Sequence, residues 1–504
     1  MKMPSLSVSM IVKNEECFLE ECLNSVKNVA DEIVIVDTGS TDNTVLIAEK
    51  FGAHIFHYEW NSDFSAARNF ALSKTTGDWA LYIDADEKIA PESIKEIEKI
   101  KTSKDKKGYF CTVKSLDSGN NRDNSMRYVR LFRNIQGAEF RGKVHEQISA
   151  SLKENGVELA DSDILIIHEG YNISEEEKRK KAERNLSLLI KEYEKNKSDY
   201  YAFQLACTYS ILNDREKSAK YYKIAAKSNI LSKSIRAESY SSLALNALKA
   251  YNPAAAGEYI AESIELNREQ PFSYLLAAKI YLQKGDTLKA EELCKKAFQL
   301  NKRIIKEGSR KELQIYLEEE EIICFGLFLS LKGKKKEGFN NYLNEYKELL
   351  DKGGKYSGKN ALILIDKILI NNNLDEKEEN LLLKLINKNS SDFYYQVIES
   401  TLNSLSENFM EKLYKKFPAS PDIIKLYSLY CFSKKKIEKA IGAFEEKKEI
   451  ITKDPPSIIY LISYHIALGE KDKAGKWIEY LEDNFGMIEQ FMPVIKKLRM
   501  KIFD

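Results

Sequence analysis

The chain has 504 residues, of which 43% are hydrophobic, and its 78 Lys and Arg nearly balance its 77 Asp and Glu. That hydrophobic content excludes a wholly disordered protein, and the formal net charge of +1 argues against nucleic-acid binding through bulk positive charge. No stretch approaches the roughly 18 apolar residues of a membrane span, and seven scattered Cys without zinc-binding spacing indicate free thiols, so we expect a cytoplasmic protein.

Short apolar runs alternate with helical patterns in the first part of the chain. Four runs predict strands, at Leu6–Val12, Asp31–Asp37, His54–His57 and Trp79–Ile83. Apolar residues recur at helical spacing between these runs, and Pro91 suits the first position of a further helix. The alternation predicts an α/β domain with a mostly parallel sheet, in which ligands bind at the carboxyl ends of the strands.

Three aspartates fall at the ends of predicted strands. Asp37 ends the second strand, and Asp84 and Asp86 follow the fourth. Residues two apart in an extended segment point to the same side, so Asp84 and Asp86 place two carboxylates together. Mg²⁺ or Mn²⁺ would offset their repulsion and could bridge a diphosphate. The alternative is a solvated turn before the helix at Pro91, but the buried strand before the pair and the nearby Asp37 favour a metal site.

Several segments together carry a resemblance to a known enzyme family. They are SVSMIVKNEECFLEECLNSV, DEIVIVDTGSTDNTVLIAEKFGA, WNSDFSAARNFALSKTTGDWALYIDADE and then RLFRN, GKVHEQI and ILIIHEGY. In this order and spacing they resemble the family-two glycosyltransferases, which invert the anomeric centre and have the GT-A fold. The resemblance implies a Rossmann-like α/β domain that binds a nucleotide-diphosphate sugar, most often a UDP-sugar.

The resemblance also implies roles for particular residues on the donor side. Asp37 would contact the uracil or its ribose, and Arg68 would lie near the diphosphate. Asp84 would contact the ribose and Asp86 would bind the metal. His168, at the end of the predicted strand DILIIH, would complete the metal site, although a His after a strand is equally often structural. The nucleotide pocket would be lined by the loop after the first strand, Val12, Lys13, Asn14 and Glu15.

The catalytic base is the carboxylate that would take the proton of the acceptor. The resemblance points to the segment Val144-His145-Glu146, where Glu146 would be the base and His145 would orient the acceptor or a phosphate. The usual Asp at the base position has no clear counterpart, which leaves Asp123 and Asp63 as rivals to Glu146.

Two arginines of the RLFRN segment, Arg130 and Arg133, are candidates for phosphate contacts. The alternative is that they form the charged face of an edge strand, and we favour this alternative for Arg133.

The charge and the amino-acid composition of the chain change near residue 175. Residues 1–175 hold 21 Lys and Arg and 29 Asp and Glu, whereas residues 176–504 hold 57 and 48. Ser174 can cap a helix that begins in the charged run after it. We therefore predict a GT-A domain over 1–175, a linking helix over 176–197 and a helical repeat domain over 198–504.

The second part of the chain repeats with a period of 34 residues. Tyr281, Ala290, Cys294 and Ala297 follow the spacing of tetratricopeptide repeats, and matching positions occur 34 residues earlier and again near the end of the chain. Small residues at these positions let antiparallel helices approach closely, so we predict a tetratricopeptide-like solenoid. Residues 305–420 fit this spacing poorly, and His465 falls at a repeat position where it is expected to pack.

A repeat array offers a long surface suited to a peptide or protein. Together with the resemblance, this predicts an enzyme that moves glucose or N-acetylglucosamine to a protein acceptor such as flagellin. A second hypothesis has a lipopolysaccharide or polysaccharide precursor, or a secreted peptide, as acceptor. A third, of another class, is a scaffold whose transferase domain is inactive. The presence of Asp37, Asp84 and Asp86 argues against the third.

Overall fold

The computed structural model describes residues 4–116, 123–170, 175–353, 358–370, 373–387, 390–486, 488 and 491–503. The helix cap predicted at Ser174 lies outside these residues. The chain divides into two compact units, of which the first comprises Met1–Lys249, Ala254–Ala277 and Gln299–Glu318. The second comprises Ala250–Pro253, Ala278–Phe298 and Glu319–Asp504. No described helix has the length and hydropathy needed to cross a bilayer.

Nine strands of the described residues form one sheet in the first unit. They are β1 Leu6–Val12, β2 Glu32–Asp37, β3 His54–His57, β4 Trp79–Tyr82, β5 Glu87–Ile89, β6 Lys107–Ser115, β7 Asn124–Arg133, β8 Glu158–His168 and β9 Leu313–Ile315. Their order is β3-β2-β1-β4-β7-β6-β8-β5, and β9 pairs with β7. The four strands expected from the first part of the chain are therefore confirmed, with ends that differ by at most one residue.

The sheet is parallel only in part. Strands β3, β2, β1 and β4 are parallel, as expected for strands joined by helices, and β6 runs parallel to β8. The pairs β4–β7, β6–β7 and β5–β8 are antiparallel. The prediction of a mostly parallel sheet was thus wrong for the second half of the domain, where β7 runs antiparallel to both of its neighbours β4 and β6.

Helices cover both faces of this sheet. They are α1 Leu19–Val26, α2 Thr44–Lys50, α3 Phe64–Ser73, α4 Ile94–Lys101 and α5 Ser149–Glu154. Successive residues of a strand face opposite sides, so Leu81 joins the cluster that contains α1 and α4 residues. Tyr82 joins the cluster on the other face, with α3 and α5 residues such as Leu72 and Leu152.

The rest of the chain is largely helical. Its helices are α6 Glu175–Asn196, α7 Asp199–Ile211, α8 Arg215–Ala226, α9 Lys233–Lys249, α10 Pro253–Leu266, α11 Pro271–Gln283, α12 Thr287–Glu307, α13 Glu319–Lys332, α14 Lys336–Gly353, α15 Gly358–Leu369, α16 Glu376–Leu385, α17 Ser391–Ser400, α18 Glu407–Lys416, α19 Pro421–Ser433, α20 Ile437–Glu446, α21 Lys448–Ile451, α22 Pro455–Ala467, α23 Lys471–Phe485 and α24 Met492–Phe503. Repeat positions such as Ala290, Cys294 and Ala297 are fully buried, as the 34-residue spacing predicts. His465 is also buried and contacts Glu470.

Strand β9 comes from the middle of the helical part of the chain. Leu313 pairs with Met126 and Ile315 with Asn124, and β4 pairs with the other end of β7, at residues 131–133. The N–H of Arg127 donates to the carbonyl of Glu312 at 3.0 Å and extends this pairing. The predicted limits 1–175, 176–197 and 198–504 stay predictions, but the sheet itself includes a strand far beyond residue 175.

Candidate functional site

The candidate site lies where β1, β2 and β4 end at their carboxyl edge. The register pairs Val12 with Asp37, so the last residues of β1 and β2 are neighbours. The N–H and the hydroxyl of Thr38 both donate to the carbonyl of Val12 at 3.0 Å. These bonds hold the two loops that follow the strands against each other.

Asp37 is buried and its carboxylate is held by the turn after β2. It accepts hydrogen bonds from the N–H groups of Gly39 at 3.1 Å and Ser40 at 3.0 Å. Gly39 has a φ of +105°, a conformation that favours glycine. The Nδ1 atom of His57 lies 3.4 Å from the same carboxylate. The predicted ribose-binding residue is therefore fixed in place by local backbone geometry.

The loop after β1 carries the residues predicted to line the nucleotide pocket. Asn14 has a φ of +56°, and its N–H donates to the Ser40 hydroxyl at 2.9 Å. Its side-chain oxygen accepts from the N–H of Thr41 at 2.8 Å. Lys13 is exposed beside it. The loop after β1 and the turn after β2 thus form one connected edge.

Glu15 faces the aspartate pair across this edge. Burial, together with the charges of Asp86 and Asp84, raises the pKa of the Glu15 carboxyl to about 7, although the charge of Lys181 opposes this shift. A cation bound at this place would relieve the repulsion between these carboxylates. Glu15 therefore belongs to the same acidic region as Asp84 and Asp86.

Arg68 connects the two halves of the site. It lies on α3, is buried, and donates from Nη2 to Asp84 at 2.5 Å. Its Nε forms an ion pair with Glu146. Its guanidinium also lies 5.0 Å from the centre of the Tyr82 ring. The structure therefore brings a predicted donor-side residue and the predicted base to opposite sides of one arginine.

Arg130 is a second buried arginine at Asp84. Its Nη2 donates to Glu87 at 2.8 Å, and its Nη1 lies 3.7 Å from the Asp84 carboxylate. Burial would raise the pKa of Asp84, but the charges of Arg68 and Arg130 hold this pKa well below its usual range. Asp84 is therefore an anion whose negative charge is balanced by these two arginines.

Glu87 is a buried residue of the site that the sequence did not indicate. Its Oε2 accepts from the N–H of Asp84 at 2.9 Å. Burial raises its pKa to about 6, against the charge of Arg130, which lowers it. The only sequence signal is its place three residues after Asp84, because the partner Arg130 comes from β7 and the contact depends on the antiparallel pairing of β4 with β7.

Asp86 and His168 form the candidate metal site. Nε2 of His168 lies 3.3 Å from the Asp86 carboxylate, and its Nδ1 lies 3.1 Å from the Ser115 hydroxyl. Burial lowers the pKa of His168, but the hydrogen bond to Asp86 and the surrounding carboxylates outweigh burial and raise it. A Cβ at Gly170 would overlap the Asp86 carboxylate and lie 2.8 Å from Nε2 of His168.

An Asp carboxylate and an imidazole nitrogen are a donor pair that suits Mn²⁺ or Mg²⁺ with further oxygens from a diphosphate. The absence of a side chain at Gly170 leaves room beside this pair. Within the described ranges, no group of three or more His, Cys, Asp or Glu is placed to hold a metal by itself. The residues present thus fit a metal that takes part of its ligands from the substrate.

His145 and Glu146 lie together on the loop before α5. His145 has a φ of +52°, and burial lowers its pKa to about 4, so its imidazole is neutral near pH 7. The rival carboxylates have other partners. Asp63 caps α3 by accepting from the N–H of Ala66 at 3.0 Å, and Asp123 lies 3.0 Å from Nζ of Lys114. Glu146 is the carboxylate that Arg68 joins to Asp84.

Arg133 lies away from this cluster. It is 3.7 Å from Asp78, the residue before β4, and its guanidinium lies 5.2 Å from the centre of the Trp79 ring. These contacts place Arg133 at the amino end of β4, whereas Arg130 reaches Asp84 beyond the carboxyl end.

Comparison with known proteins agrees with this geometry. Residues 7–152 match the family model described as glycosyl transferase family 2. A TPR repeat-containing protein of Synechococcus elongatus is 36% identical over 188 residues, which is 36% of this chain and 46% of that protein. The SPbeta prophage-derived glycosyltransferase SunS of Bacillus subtilis is 33% identical over 190 residues, which is 37% of this chain and 44% of that protein. This chain thus spans less than half the length of these curated relatives.

One solved structure with local likeness is glucosyl-3-phosphoglycerate synthase from Mycobacterium tuberculosis in complex with Mn²⁺, uridine diphosphate and phosphoglyceric acid. It is 24% identical, covers 23% of this chain and 44% of its own, and gives a TM-score of 0.20.

A mixed α/β sheet with acidic residues at the carboxyl edge of its parallel strands defines an α/β domain with a ligand site at that edge. More particularly, residues 7–152 form a domain that matches glycosyl transferase family 2, and a largely helical region, consistent with a tetratricopeptide-like solenoid, follows it.

Proposed function

We propose that this chain is an inverting, metal-dependent glycosyltransferase that moves a sugar from a UDP-sugar to a protein acceptor. The observation that carries the proposal is the connected set Asp84–Arg68–Glu146, in which Asp84 lies two residues before Asp86 and at the same edge of the sheet as Asp37. Glucose and N-acetylglucosamine are the proposed sugars. Flagellin is the proposed acceptor, held by the helical repeats.

On the donor side, Asp37 would accept hydrogen bonds from the uracil or ribose. Its carboxylate is already oriented by the turn at Gly39 and Ser40. Asp86 and His168 would hold Mn²⁺ or Mg²⁺. When bound, such an ion stabilises the negative charge that develops on the diphosphate. Arg68 and Arg130 keep Asp84 ionised, so it remains an acceptor for ribose hydroxyls.

On the acceptor side, Glu146 would take the proton of the attacking group. The acceptor oxygen or sulfur forms a bond to the anomeric carbon, the bond between that carbon and the UDP oxygen breaks, and the acceptor proton moves to Glu146. The neutral imidazole of His145 would orient the acceptor through a hydrogen bond. Because attack and departure occur on opposite faces of the sugar, the configuration inverts.

Calorimetry with UDP and Mn²⁺ tests the enzyme proposal. We expect UDP to bind only with the metal, and Asp86→Ala to weaken binding by about tenfold or more. Asp105→Ala, an exposed Asp outside the site, is the matched control and should bind as the unmodified chain does. UDP binding that is absent, or that Asp86→Ala leaves unchanged, would refute the proposal and favour an inactive scaffold.

The acceptor is tested separately by the intact mass of flagellin co-expressed with the chain. A mass gain of one hexose or one N-acetylhexosamine supports a protein acceptor. An unmodified flagellin together with a modified polysaccharide precursor, under the same donors, would move the proposal to a glycan acceptor.

A further inference from the structure

Besides the candidate site, the first unit contains a cavity of about 330 Å³ next to the proposed base. Tyr82 forms part of its wall. The guanidinium groups of Arg68 and Arg130 lie 5.0 and 4.4 Å from the centre of the Tyr82 ring. Gln147, which follows Glu146 in the chain, lines the cavity as well. The cavity therefore opens beside the acceptor side of the site rather than beside the acidic donor side.

The lining of this cavity combines apolar and charged groups. Phe110, Val129, Ile148 and Leu159 supply apolar side chains, and Ile148 is 1% exposed. Other lining residues are charged and exposed, and they carry both signs: Lys153, Asp161, Arg310 and Glu312. A cavity of this size with apolar walls and a few polar groups is typical of a site for one small group or side chain.

Arg127 adds an unsatisfied donor to this lining. It is more than nine-tenths buried, pairs with Asp161 at 2.7 Å and donates to the carbonyl of Phe110 at 3.3 Å. Its Nε is buried and has no hydrogen-bond partner among the described residues. Arg127 therefore brings a buried positive charge, balanced by Asp161, to the lining of the cavity.

The helical part of the chain builds one side of the cavity. Tyr200 lines the cavity together with Gln147, and Arg310 and Glu312 precede β9. The cavity is therefore incomplete without residues that lie beyond the family 2 domain.

We propose that this cavity binds an apolar side chain of a polypeptide acceptor, close in sequence to the residue that receives the sugar. The inference rests on the proposed function and names how that site selects its substrate. An apolar side chain suits the walls, and charges of both signs suit a peptide better than an uncharged sugar. Because an extended chain advances about 3.3–3.6 Å per residue, the apolar residue should lie within a few positions of the modified one.

Pooled short peptides test this proposal. Each carries a central Ser, Thr or Cys with randomised flanks, and the full chain is supplied with Mn²⁺, UDP-glucose and UDP-N-acetylglucosamine. Sequencing of the modified peptides by mass spectrometry should show an apolar residue enriched at a fixed offset. Leu159→Trp, which fills the cavity, should remove this enrichment and lower peptide transfer at least about tenfold. Leu288→Trp, at an exposed leucine outside the cavity, is the matched control and should leave the enrichment in place.

A second variant keeps the test informative if Leu159→Trp fails to fold. Arg310→Glu changes an exposed side chain and should shift the preferred charge of the peptide flanks towards basic residues. The proposal is overturned if neither variant changes the preference, or if peptides stay unmodified while a saccharide acceptor is modified. UDP binding and flagellin modification, measured in parallel, separate this result from failure of the proposed function, because that failure would appear as lost UDP binding or as unmodified flagellin.

Discussion

Arg68 is the residue on which the two sides of the proposed site depend. A buried guanidinium with two carboxylate partners is favourable only while both contacts are kept, because the loss of one leaves a buried charge partly unpaired. The planar guanidinium can contact Asp84 and Glu146 through different nitrogens, which a lysine ammonium does less well.

We expect Arg68→Lys to lower the free energy of unfolding by about 2 kcal/mol and sugar transfer by about a hundredfold. Arg133→Lys is the matched control, because Arg133 lies outside the cluster and has a single carboxylate 3.7 Å away. Urea denaturation and initial rates provide the two measurements. Equal losses in both variants would show that Arg68 has no special role.

His145 makes stability depend on pH. Its pKa is about 4 in the folded chain, against an ordinary value of 6.5, because burial disfavours the charged form. Between these values the unfolded state binds more protons than the folded state, so stability is present at neutral pH and is lost as the pH falls.

From pH 7 to pH 5, the native chain should lose about 2 kcal/mol more than His145→Asn. Asn tolerates the positive φ at this position and does not titrate. Denaturant unfolding at the two pH values measures the difference. A variant that loses as much stability as the native chain would contradict the prediction.

At the residue scale, sequence reasoning could locate side chains that belong to strand ends. Asp37 and Asp84 were predictable because strands β2 and β4 have clear apolar patterns, and parallel strands bring their carboxyl ends to one edge. The pairing of Arg130 with Glu87 could not be predicted, because it depends on the register between strands that lie far apart in the sequence.

At the scale of elements, helices α6 and α7 pack against the loop that carries the proposed base. Val144 shares a buried cluster with Leu189 of α6 and with Tyr201 and Leu205 of α7. Sequence analysis assigned α6 to a linker and α7 to the repeats, because apolar spacing indicates that a helix has a buried face but not which element covers it.

Gly142 offers a test of this packing. It has a φ of +99°, and a Cβ there would overlap the Tyr201 hydroxyl. We expect Gly142→Ala to lower the melting temperature and the turnover number, with UDP affinity retained, because overpacking shifts the loop of Glu146.

Gly156→Ala is the matched control, since Gly156 also has a positive φ, +75°, but open space around its Cβ position. Adding Tyr201→Phe to Gly142→Ala removes the overlapping hydroxyl and should restore much of the turnover. If the two glycine variants behaved alike, backbone strain alone would explain the effect.

At the scale of the whole molecule, the sheet and part of the helical region form one compact unit. Residues 299–318 belong to this unit through β9. A chain cut after residue 175 would leave residues 124–126 of β7 without their partner on one side, and an unpaired strand edge promotes aggregation.

We therefore expect residues 1–175 to be insoluble, whereas residues 1–318 should stay soluble and bind UDP with Mn²⁺ nearly as the full chain does. Size-exclusion chromatography and calorimetry measure the two properties. A soluble 1–175 fragment that binds UDP would show that β9 is dispensable and would support the domain limit predicted from the sequence.

Strand β9 also determines how late in translation the sheet can be completed. The ribosome synthesises β7 by residue 133 but does not reach β9 until residue 313. At translation rates of about 5–20 residues per second, about 10–40 s pass before that partner exists. The nascent chain must keep the edge of β7 from other chains during this interval, so the sheet is completed only well after its other strands have been synthesised.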